Sequence, residues 1–465
     1  MKNTKAKSLN IAYIGGGSRA WAWTFMTDLS LEPDLGGTIR LYDTDESAAK
    51  SNELIGNRLS ARPASCGKWT YKTTSTLKEA LTGADFIIIS ILPGTFAEMK
   101  SDVHLPERLG IYQSVGDTAG PGGAVRALRT IPLYVGFAQA IREYAPDAWV
   151  INYTNPMSLC VRALYHTFPE IKALGCCHEV FGTQTILAEM VEQRLGLSSR
   201  IPRSEIHINV MGLNHFTWFD RATYQDLDLF KMYADFVREY EEKGYSADEA
   251  HLPNQCFSSN NRVKMDLFKK YGWIAAAGDR HLAEFMPWDT YLKDPEAVEG
   301  WGYYLTSVDW RMENLQERLA KSARLAAGEE EMPLTPSGEE GILLIKALSG
   351  LCRVVSNVNL PNTAGQIANL PRDTVVETNA LFSYDSVRPV MAGQLSEDLL
   401  GLIQPHVEYQ ADILQAALDC DRNALYAAFL RDPLMKGRAG EAELCALADD
   451  MVTNTLEYLP QGWRA

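Results

Sequence analysis

The first 150 residues alternate short apolar runs with longer segments in which apolar residues recur every three or four positions. The short runs are typical of buried strands, and the longer segments are typical of amphipathic helices. Strands are predicted at Asn10–Ile14, Ile39–Tyr42, Asp85–Ile91 and Trp149–Ile151, and helices at Ala20–Leu31, Ser47–Leu59 and Ala124–Tyr144. This strand–helix–strand rhythm predicts an α/β fold built on a doubly wound parallel sheet.

The same rhythm extends past residue 150 and then gives way to longer helices. Two further strands are predicted at Ile171–Leu174 and Ile206–Met211, with a helix from Gln184 to Leu195 between them. Beyond residue 222 the predicted helices lie between wider polar segments: Leu227–Tyr240, Trp310–Ala326, Gly338–Leu348 and the periodic stretch Ser396–Tyr458. We therefore predict a Rossmann-like first domain over residues 1–200 and a second, mainly helical α+β region over residues 201–465.

Charge and cysteine usage narrow the class of protein. The 465 residues carry a formal net charge of -15 with no compensating basic block, which argues against binding to nucleic acid or to an anionic membrane. The apolar run Ile11–Ile14 is too short for a signal or a membrane span, so we expect a cytoplasmic protein. The eight cysteines are scattered without a disulfide framework, and we expect most of them to be buried structural thiols.

A glycine-rich turn follows the first predicted strand and opens the first predicted helix. Gly15, Gly17, Ser18 and Ala20 fit the pattern G-x-G-x-x-G/A. In that pattern the glycines let the backbone approach a pyrophosphate, and the helix N-terminus supplies free N–H groups. The turn therefore indicates a dinucleotide site.

Two other strand ends agree with this interpretation. Asp43 ends the second strand, where a carboxylate can accept hydrogen bonds from both ribose hydroxyls and favours NAD over NADP. A solvated turn aspartate is the alternative, because Asp45 follows closely. Ser90 and Pro93 lie at the end of the strand predicted over Asp85–Ile91, where a bound nucleotide would lie, and both are predicted to line the cofactor site.

Polar residues also follow three later strands, namely Asn152 and Asn155, then Cys177, and then His215. In open α/β sheets, ligands bind at such strand ends. A thiolate and an imidazole together suggest a divalent transition metal that keeps several positions open for substrate oxygens. With Asn155 nearby, such a site could chelate two adjacent sugar hydroxyls. A core thiol and a buried, hydrogen-bonded histidine are the structural alternatives.

Two more segments concentrate titratable residues. Asp279, Arg280 and His281 lie together between apolar flanks. A carboxylate beside a guanidinium serves as a base in some proteins and forms a simple surface ion pair in others. A glycine-rich loop containing Asp117 precedes the long helix that bears Arg126, and it could fold over a ligand or form an ordinary turn.

In combination these motifs resemble glycoside hydrolase family 4. The resemblance runs from the first strand to about residue 390 and is carried, in order, by Gly15–Ala20, Gly120–Gly123, Asn152–Pro156, Cys177–Val180 and Gly212–His215. It implies a fold that binds NAD and usually Mn(II), in place of the paired carboxylates of most glycosidases. The Cys-His-Glu-Val form of the fourth motif resembles the α-galacturonidase subgroup, which implies an enzyme that hydrolyses pectin fragments.

The resemblance also implies a redox-assisted elimination. In this family, NAD takes a hydride from C3 of the sugar, and the metal polarises the resulting ketone oxygen. A base then removes the C2 proton, the glycosidic bond at C1 breaks by elimination, water adds, and the same NADH reduces the ketone again. No net cofactor is consumed.

By motif position, the resemblance implies a role for each of several residues. Cys177 and His215 would be metal ligands, Asn155 would bind the sugar, and Asn152 would lie near the nicotinamide ribose. The residue after the metal-binding cysteine is an acidic aspartate in the phospho-sugar members, whereas it is His178 in this chain. A histidine can donate a proton near neutral pH, so His178 is the candidate acid.

The base and the uronate partner are assigned less directly. Family members that act on unphosphorylated α-glycosides place an aspartate in the region matching Asp279, which is therefore the first candidate base, with Asp117 in reserve. A uronate carboxylate at C6 is a natural partner for a bidentate arginine. Arg280, beside the candidate substrate residue His281, is the first choice for it, and Arg126 is the second.

Several alternatives remain open. The related activities of α-glucosidase, α-glucuronidase and α-galactosidase differ from the first choice by one short motif. An NAD-dependent 2-hydroxy-acid dehydrogenase would share the glycine turn and the sheet, and would oxidise its substrate on balance. A noncatalytic dinucleotide sensor would bind NAD without a metal. The resemblance further implies a homodimer or homotetramer.

Overall fold

The computed structural model describes residues 6–246 and 254–464 of the chain. A nine-stranded sheet crosses the molecule, and a smaller antiparallel sheet lies beside it. The larger sheet begins with six parallel strands: β1 (Lys7–Ile14), β2 (Leu35–Tyr42), β3 (Lys68–Thr74), β4 (Phe86–Ile89), β5 (Trp149–Asn152) and β6 (Lys172–Gly175). Their spatial order is β3-β2-β1-β4-β5-β6. This is the doubly wound order with a switch point between β1 and β4, so the predicted Rossmann-like fold is confirmed.

The next four strands form the smaller sheet: β7 (Ile206–Leu213), β8 (Phe216–Tyr224), β9 (Leu227–Asp228) and β10 (Ile274–Ala275). The prediction that Ile206–Met211 continues the parallel rhythm is wrong. β7 pairs with β8 in antiparallel register, with Leu213 opposite Phe216. The two residues between them make so tight a turn that no crossover helix can intervene, and a parallel pair needs such a crossover.

Three more strands extend the larger sheet beyond β6: β11 (Val354–Pro361), β12 (Val375–Ser383) and β13 (Ser386–Pro389). They pair with one another in antiparallel fashion, and β11 reaches β6 through Asn359 opposite Gly175. The second half of the chain therefore contributes strands to the sheet of the first half. The predicted domain boundary at residue 200 stays a prediction, although the sheet itself crosses it.

The parallel strands separate two hydrophobic cores. Alternate residues of one strand point to opposite faces of a sheet, and both faces are buried here. One core takes Ala12, Ile14, Ile87, Ile89 and Val150. The other core takes Ile11, Tyr13, Phe86, Ile88 and Ile151. Because β4, β5 and β6 are buried on both faces, their carboxyl ends are the parts that are free to present polar side chains.

Seventeen α-helices among the described residues surround the sheets. In chain order they are α1 (Trp21–Leu31), α2 (Glu46–Ala61), α3 (Leu77–Leu81), α4 (Phe96–His104), α5 (Gly120–Tyr144), α6 (Met157–Thr167), α7 (Glu179–Leu195), α8 (Phe230–Tyr240), α9 (Arg262–Tyr271), α10 (Asp279–Glu284), α11 (Trp288–Tyr291), α12 (Pro295–Gly300), α13 (Val308–Ala327), α14 (Gly341–Leu348), α15 (Glu397–Asp419), α16 (Arg422–Arg431) and α17 (Glu441–Asn454). The predicted long helices of the second region are confirmed as α8, α13, α14 and α15–α17. None of the described helices combines the length and apolar character that a membrane crossing requires.

Candidate active site

The glycine-rich turn lies at the carboxyl end of β1, against the ends of β2 and β4. Gly15 has a φ of +91°, and a Cβ atom there would lie 2.0 Å from the carbonyl oxygen of Ser90. Only glycine fits that approach. Ser18 follows in the turn, and Ala20 precedes α1 without a side-chain cap. The first N–H groups of α1 are therefore left for a ligand such as a pyrophosphate.

Asp43 holds this turn in place. One of its carboxylate oxygens accepts a hydrogen bond from the N–H of Gly17 at 2.8 Å, and the other accepts from the N–H of Asp45 at 2.9 Å. The turn and the second strand end are thus joined at the place where the sequence predicts the adenosine ribose. The ribose contact itself stays a prediction.

The predicted cofactor residues on β4 and β5 are buried and well supported. Ser90 is buried, and the carbonyl of Pro93 accepts from the guanidinium of Arg129 at 3.4 Å. The side-chain oxygen of Asn152 accepts from the hydroxyl of Tyr134 at 2.5 Å and from the N–H of Thr154 at 3.1 Å. Asn152 therefore braces the strand end, and its contact with a nicotinamide ribose stays a prediction.

Three side chains from distant parts of the chain converge beside this edge. Asp117 precedes α5, His215 lies in the turn between β7 and β8, and His281 lies on α10. Their potential ligand atoms all lie within 4.8 Å of one another. Two imidazoles and a carboxylate at that spacing form a plausible set of ligands for a divalent transition metal.

His215 is fixed in this group by its backbone and its neighbours. It has a φ of +65°, its Nδ1 lies 3.0 Å from the hydroxyl of Thr118, and its ring centre is 3.8 Å from that of His281. Burial, together with the nearby His281, lowers the pKa of His215 to about 3. The imidazole is therefore neutral at physiological pH, which is the form that binds a metal.

Asp117 is ionised in the same group. Burial opposes ionisation, but the charge of Arg126 and, at the acidic pH where this carboxyl titrates, those of the protonated His281 and His215 hold its pKa well below its usual range. Its oxygens accept from the hydroxyl of Thr118 at 2.7 Å and from the amide of Asn155 at 3.3 Å. The amide oxygen of Asn155 is buried and has no hydrogen-bond partner among the described residues, so an acceptor is left facing the site.

His281 is held by a carboxylate on one side only. Its Nε2 lies 3.6 Å from a carboxylate oxygen of Glu179, while its Nδ1 is buried without a partner in the described ranges. Glu179 also accepts from the N–H of Gly278 at 2.9 Å. Burial opposes ionisation of Glu179, but the charge of His281 and this N–H bond lower its pKa to about 2. An unpartnered ring nitrogen in a buried site is what a metal ligand or a substrate contact requires.

Cys177 lies at the carboxyl end of β6, yet it is not a member of the group formed by Asp117, His215 and His281. It is buried, and burial together with the negative charge of Glu377 raises the pKa of its thiol well above its usual value. Without a metal the thiol is therefore protonated. The pairing of Cys177 with His215 as ligands stays a prediction, and His281 and Asp117 are the side chains found beside His215.

His178 is the candidate acid, and its side chain is 47% exposed at the start of α7. Its Nδ1 lies 2.8 Å from a carboxylate oxygen of Glu339. Partial burial lowers the pKa of His178, but the hydrogen bond to Glu339 and the charges of Glu339 and Glu179 outweigh it and raise the pKa to about 9. The ring is therefore protonated at neutral pH and can donate a proton.

Asp279, the first candidate base, binds the N-terminus of a helix. It is fully buried, and its two oxygens accept from the N–H groups of Val263 and Lys264, at 2.9 and 3.1 Å, in the first turn of α9. Both oxygens are thus committed to anchoring a helix N-terminus, and Asp279 is not one of the converging ligand groups. Of the two candidate bases, only Asp117 lies in the cluster.

Arg280, the first candidate for a substrate carboxylate, is also committed to the protein. Its guanidinium donates to the carbonyl of Ser114 at 2.5 Å and to the hydroxyl of Thr306 at 2.6 Å. Glu284, on the same helix as Arg280, accepts from the N–H groups of Val115 and Gly116, at 2.6 and 2.8 Å. Both side chains thus support the loop that carries Asp117.

Sequence reasoning missed some residues that bear on the site. Glu179 was visible as the third residue of the Cys-His-Glu-Val motif, but its contact with His281 crosses about a hundred residues of chain. Glu339 and Glu377 come from a segment in which no motif stands out. Their signal appears only when the fold brings them to His178 and Cys177.

This chain belongs to glycosyl hydrolase family 4. The model of the family 4 glycosyl hydrolases matches residues 10–193, and the model of the family's C-terminal domain matches residues 210–435. The resemblance noted in the sequence is thereby confirmed.

Individual relatives cover nearly the whole chain. An α-galacturonidase of Lachnoclostridium phytofermentans is 58% identical over 461 residues, 99% of this chain and 99% of that protein. The crystal structure of lplD from Bacillus subtilis, described provisionally as a glucosidase, has a TM-score of 0.90 and 47% identity, and the match covers 96% of this chain and 99% of that one. A 6-phospho-α-glucosidase from gut microorganisms, solved with NAD and Mn²⁺, has a TM-score of 0.79 at 20% identity, over 98% of this chain and 99% of that one. The last likeness concerns the fold alone.

Proposed function

We propose that this protein is an α-galacturonidase that hydrolyses α-galacturonides such as pectin fragments, using NAD and a divalent metal such as Mn(II). The substrate class is supported by the α-galacturonidase that is 58% identical over nearly the whole chain. The observation that carries the chemistry is the convergence of Asp117, His215 and His281 beside the carboxyl edge of a doubly wound sheet. When bound, NAD would supply reversible hydride transfer at C3 of the sugar, and the metal would supply Lewis-acid stabilisation of negative charge on a substrate oxygen.

The residues that are present fit both groups. A Cβ atom at Gly15 would fill the space in the glycine turn that a dinucleotide needs. The turn also leaves the first N–H groups of α1 available to phosphates. At the carboxyl ends of β1 and β2, the proposed dinucleotide site is completed by Gly17, Ser18, Ala20 and Asp43. Ser90, Pro93 and Asn152 are proposed to line it on the other side. For the metal, the neutral His215 and the unpartnered Nδ1 of His281 are nitrogen donors of the required kind. We keep Cys177 as a candidate ligand from sequence.

We assign the two proton transfers to His178 and Asp117. His178 is protonated at neutral pH and would donate to the leaving glycosidic oxygen. Asp117 is ionised, and its hydrogen bonds come from side chains that a sugar hydroxyl could replace, so it would take the C2 proton. Asn155, with its free amide oxygen, would hold a hydroxyl of the same sugar.

Asp117 could instead be a third metal ligand, and one variant separates the roles. If Asp117 is the base, Asp117→Asn should keep the bound metal and lose exchange of the C2 proton of the substrate with deuterium from solvent. If it is a ligand, the metal content should fall together with exchange. We expect the first result, measured by metal analysis of the purified protein and by NMR of the sugar.

The function is tested by hydrolysis of digalacturonate under reducing conditions, with NAD and Mn(II) each supplied or withheld. We expect galacturonate release only when both are present, without net accumulation of NADH. Steady NADH formation without bond cleavage would identify a dehydrogenase instead. Faster cleavage of neutral α-galactosides or α-glucosides than of digalacturonate would reject the uronide assignment.

We also propose a cytoplasmic location, which cell fractionation tests. A homodimer or homotetramer is expected from the family resemblance. Light scattering coupled to size exclusion would distinguish both from a monomer of 51.7 kDa.

A further inference from the structure

Three arginine side chains share an electrostatic environment with Asp117, namely Arg126, Arg280 and Arg311. Among the charged groups around Asp117, Arg126 has the largest electrostatic effect on it. Among the charged groups around Arg311, Asp117 has the largest electrostatic effect. We propose that Arg311 binds the C6 carboxylate of the galacturonate ring and thereby selects uronides over neutral sugars. This inference rests on the proposed function, because it concerns the substrate of that same site.

The other two guanidinium groups are already in use. Arg280 donates to the carbonyl of Ser114 and to the hydroxyl of Thr306. Arg126 donates from Nε to the carbonyl of Asn155 at 3.0 Å, which supports the residue proposed to hold a sugar hydroxyl. Arg280 would have to give up protein contacts in order to bind a substrate carboxylate through two N–H groups, and Arg126 is held at its Nε by the backbone of Asn155.

Arg311 has no such commitment. Its guanidinium makes no hydrogen bond or ion pair with any residue in the two described ranges, and its Nε is buried without a partner. A buried N–H group without an acceptor is costly and calls for an anion or a ligand oxygen. Arg311 is therefore the arginine whose hydrogen-bonding capacity is still available.

The position of Arg311 is nevertheless well defined. It lies in the first turn of α13, where the hydroxyl of Ser307 caps the helix by accepting from the N–H of Trp310 at 3.2 Å. Its guanidinium lies over the ring of Phe257, 5.5 Å from the ring centre, and Arg280 lies over the same ring at 5.3 Å. Stacking on an aromatic ring leaves the edge of the guanidinium free for a planar, bidentate partner.

The local charge balance also favours an anion. Arg126, Arg280 and Arg311 bring three positive charges, whereas the ionised Asp117 and Glu179 bring two negative charges. Glu284 adds little, because burial raises its pKa to about 8 and leaves it largely protonated at neutral pH. A substrate carboxylate would reduce this excess. A carboxylate is also the chemical group by which a galacturonide differs from a galactoside.

The test is a binding measurement by calorimetry on protein loaded with NAD and Mn(II). The titrants are galacturonate, galactose and galactose 6-phosphate. The variants are Arg311→Gln, Arg311→Lys and a matched control, Arg324→Gln. Arg324 lies on the same helix, is half-exposed and pairs with Glu330 at 2.9 Å, outside the site. Melting temperatures of all variants report whether each one folds.

We expect Arg311→Gln to weaken galacturonate binding by about 10- to 100-fold, the range of a lost charge-assisted pair, and to change galactose binding by less than about threefold. Arg311→Lys should lie in between, because it keeps the charge and loses the fork. Arg324→Gln should bind like the unmodified protein. The ratio of kcat/KM for digalacturonate over a neutral galactoside should fall in parallel, chiefly through KM.

Equal weakening of galacturonate and galactose by Arg311→Gln would overturn the proposal. So would tighter binding of galactose 6-phosphate than of galacturonate by the unmodified protein, because the site would then suit a phosphate. The proposed function fails separately. If the unmodified protein binds galacturonate through Arg311 but does not hydrolyse digalacturonate, the carboxylate site stands and the glycosidase assignment falls.

Discussion

The contact between His178 and Glu339 makes a specific prediction about pH. His178 can act as an acid only while it is protonated, and its pKa is raised to about 9 chiefly through Glu339. Activity that depends on it should therefore be present below that value and be lost as the pH rises through it. Replacing Glu339 by glutamine removes the charge 2.8 Å from Nδ1 and should lower the pKa of His178.

The size of the effect follows from the two titration curves. With a pKa of about 9, roughly three quarters of His178 is protonated at pH 8.5. If the variant keeps the charge of Glu179 and its pKa falls to about 7.5, roughly a tenth is protonated at that pH. We therefore expect Glu339→Gln to reduce kcat/KM about eightfold at pH 8.5 and to change it very little at pH 6.5.

The assay is the pH profile of kcat/KM for digalacturonate, with NAD and Mn(II) present at every pH. Glu340→Gln is a matched control, because Glu340 adjoins Glu339 in sequence but pairs with Arg203 at 2.8 Å. Its alkaline limb should coincide with that of the unmodified protein. An alkaline limb that stays near pH 9 in Glu339→Gln would refute the assignment of His178 as the acid.

Three further variants test the remaining parts of the site. Gly15→Ala would place a Cβ 2.0 Å from a backbone oxygen, so we expect at least about a tenfold loss of NAD affinity in a fluorescence titration; unchanged affinity would mean that the turn does not hold the dinucleotide. His215→Ala should lose bound Mn(II) in metal analysis, whereas Cys177→Ser should retain most of it if the converging group is the ligand set; the reverse order would make the thiol the principal ligand. Asp279→Asn weakens two buried hydrogen bonds to the start of α9 and should cost about 2–4 kcal/mol of stability, seen as a lower melting temperature with the metal content preserved. Loss of catalysis at full stability would instead restore Asp279 as the base.

The parallel part of the fold could be predicted from sequence because its signal is local. The central parallel strands are buried on both faces, so they appear as short, continuous apolar runs such as Phe86–Ile89. β11 gives no such signal. It carries Asn357 and Asn359, which are buried and donate hydrogen bonds to Glu377 and Met157, so polar residues interrupt a strand that is nevertheless in the sheet. A buried polar network makes a strand look like a loop in sequence.

In the candidate site, too, some residues could be predicted from local motifs and others could not. Gly15 and His215 were identified because each stands in a short motif at the end of an apolar run, and Asp117 because it lies in a glycine-rich loop before a long helix. Whether a carboxylate such as Asp279 faces a substrate or a helix N-terminus is decided by the packing of α10 against α9, and no local pattern records that choice.

Arg311 shows most clearly which site residues cannot be predicted from the sequence alone. Within its helix it is one of several charged residues spaced around a surface that is mainly exposed, and such residues are ordinarily solvated. What distinguishes it is a relation among three distant segments. Phe257 supports its guanidinium, the partners of Arg280 and Arg126 leave Arg311 as the uncommitted cation, and Asp117 lies near enough to be its strongest charged neighbour. The family motifs surround the metal and the nucleotide, which serve a reaction common to many sugars. A residue that recognises one substituent of one sugar need not lie in any of those motifs, and substrate specificity in this fold is therefore to be sought among uncommitted charges outside them.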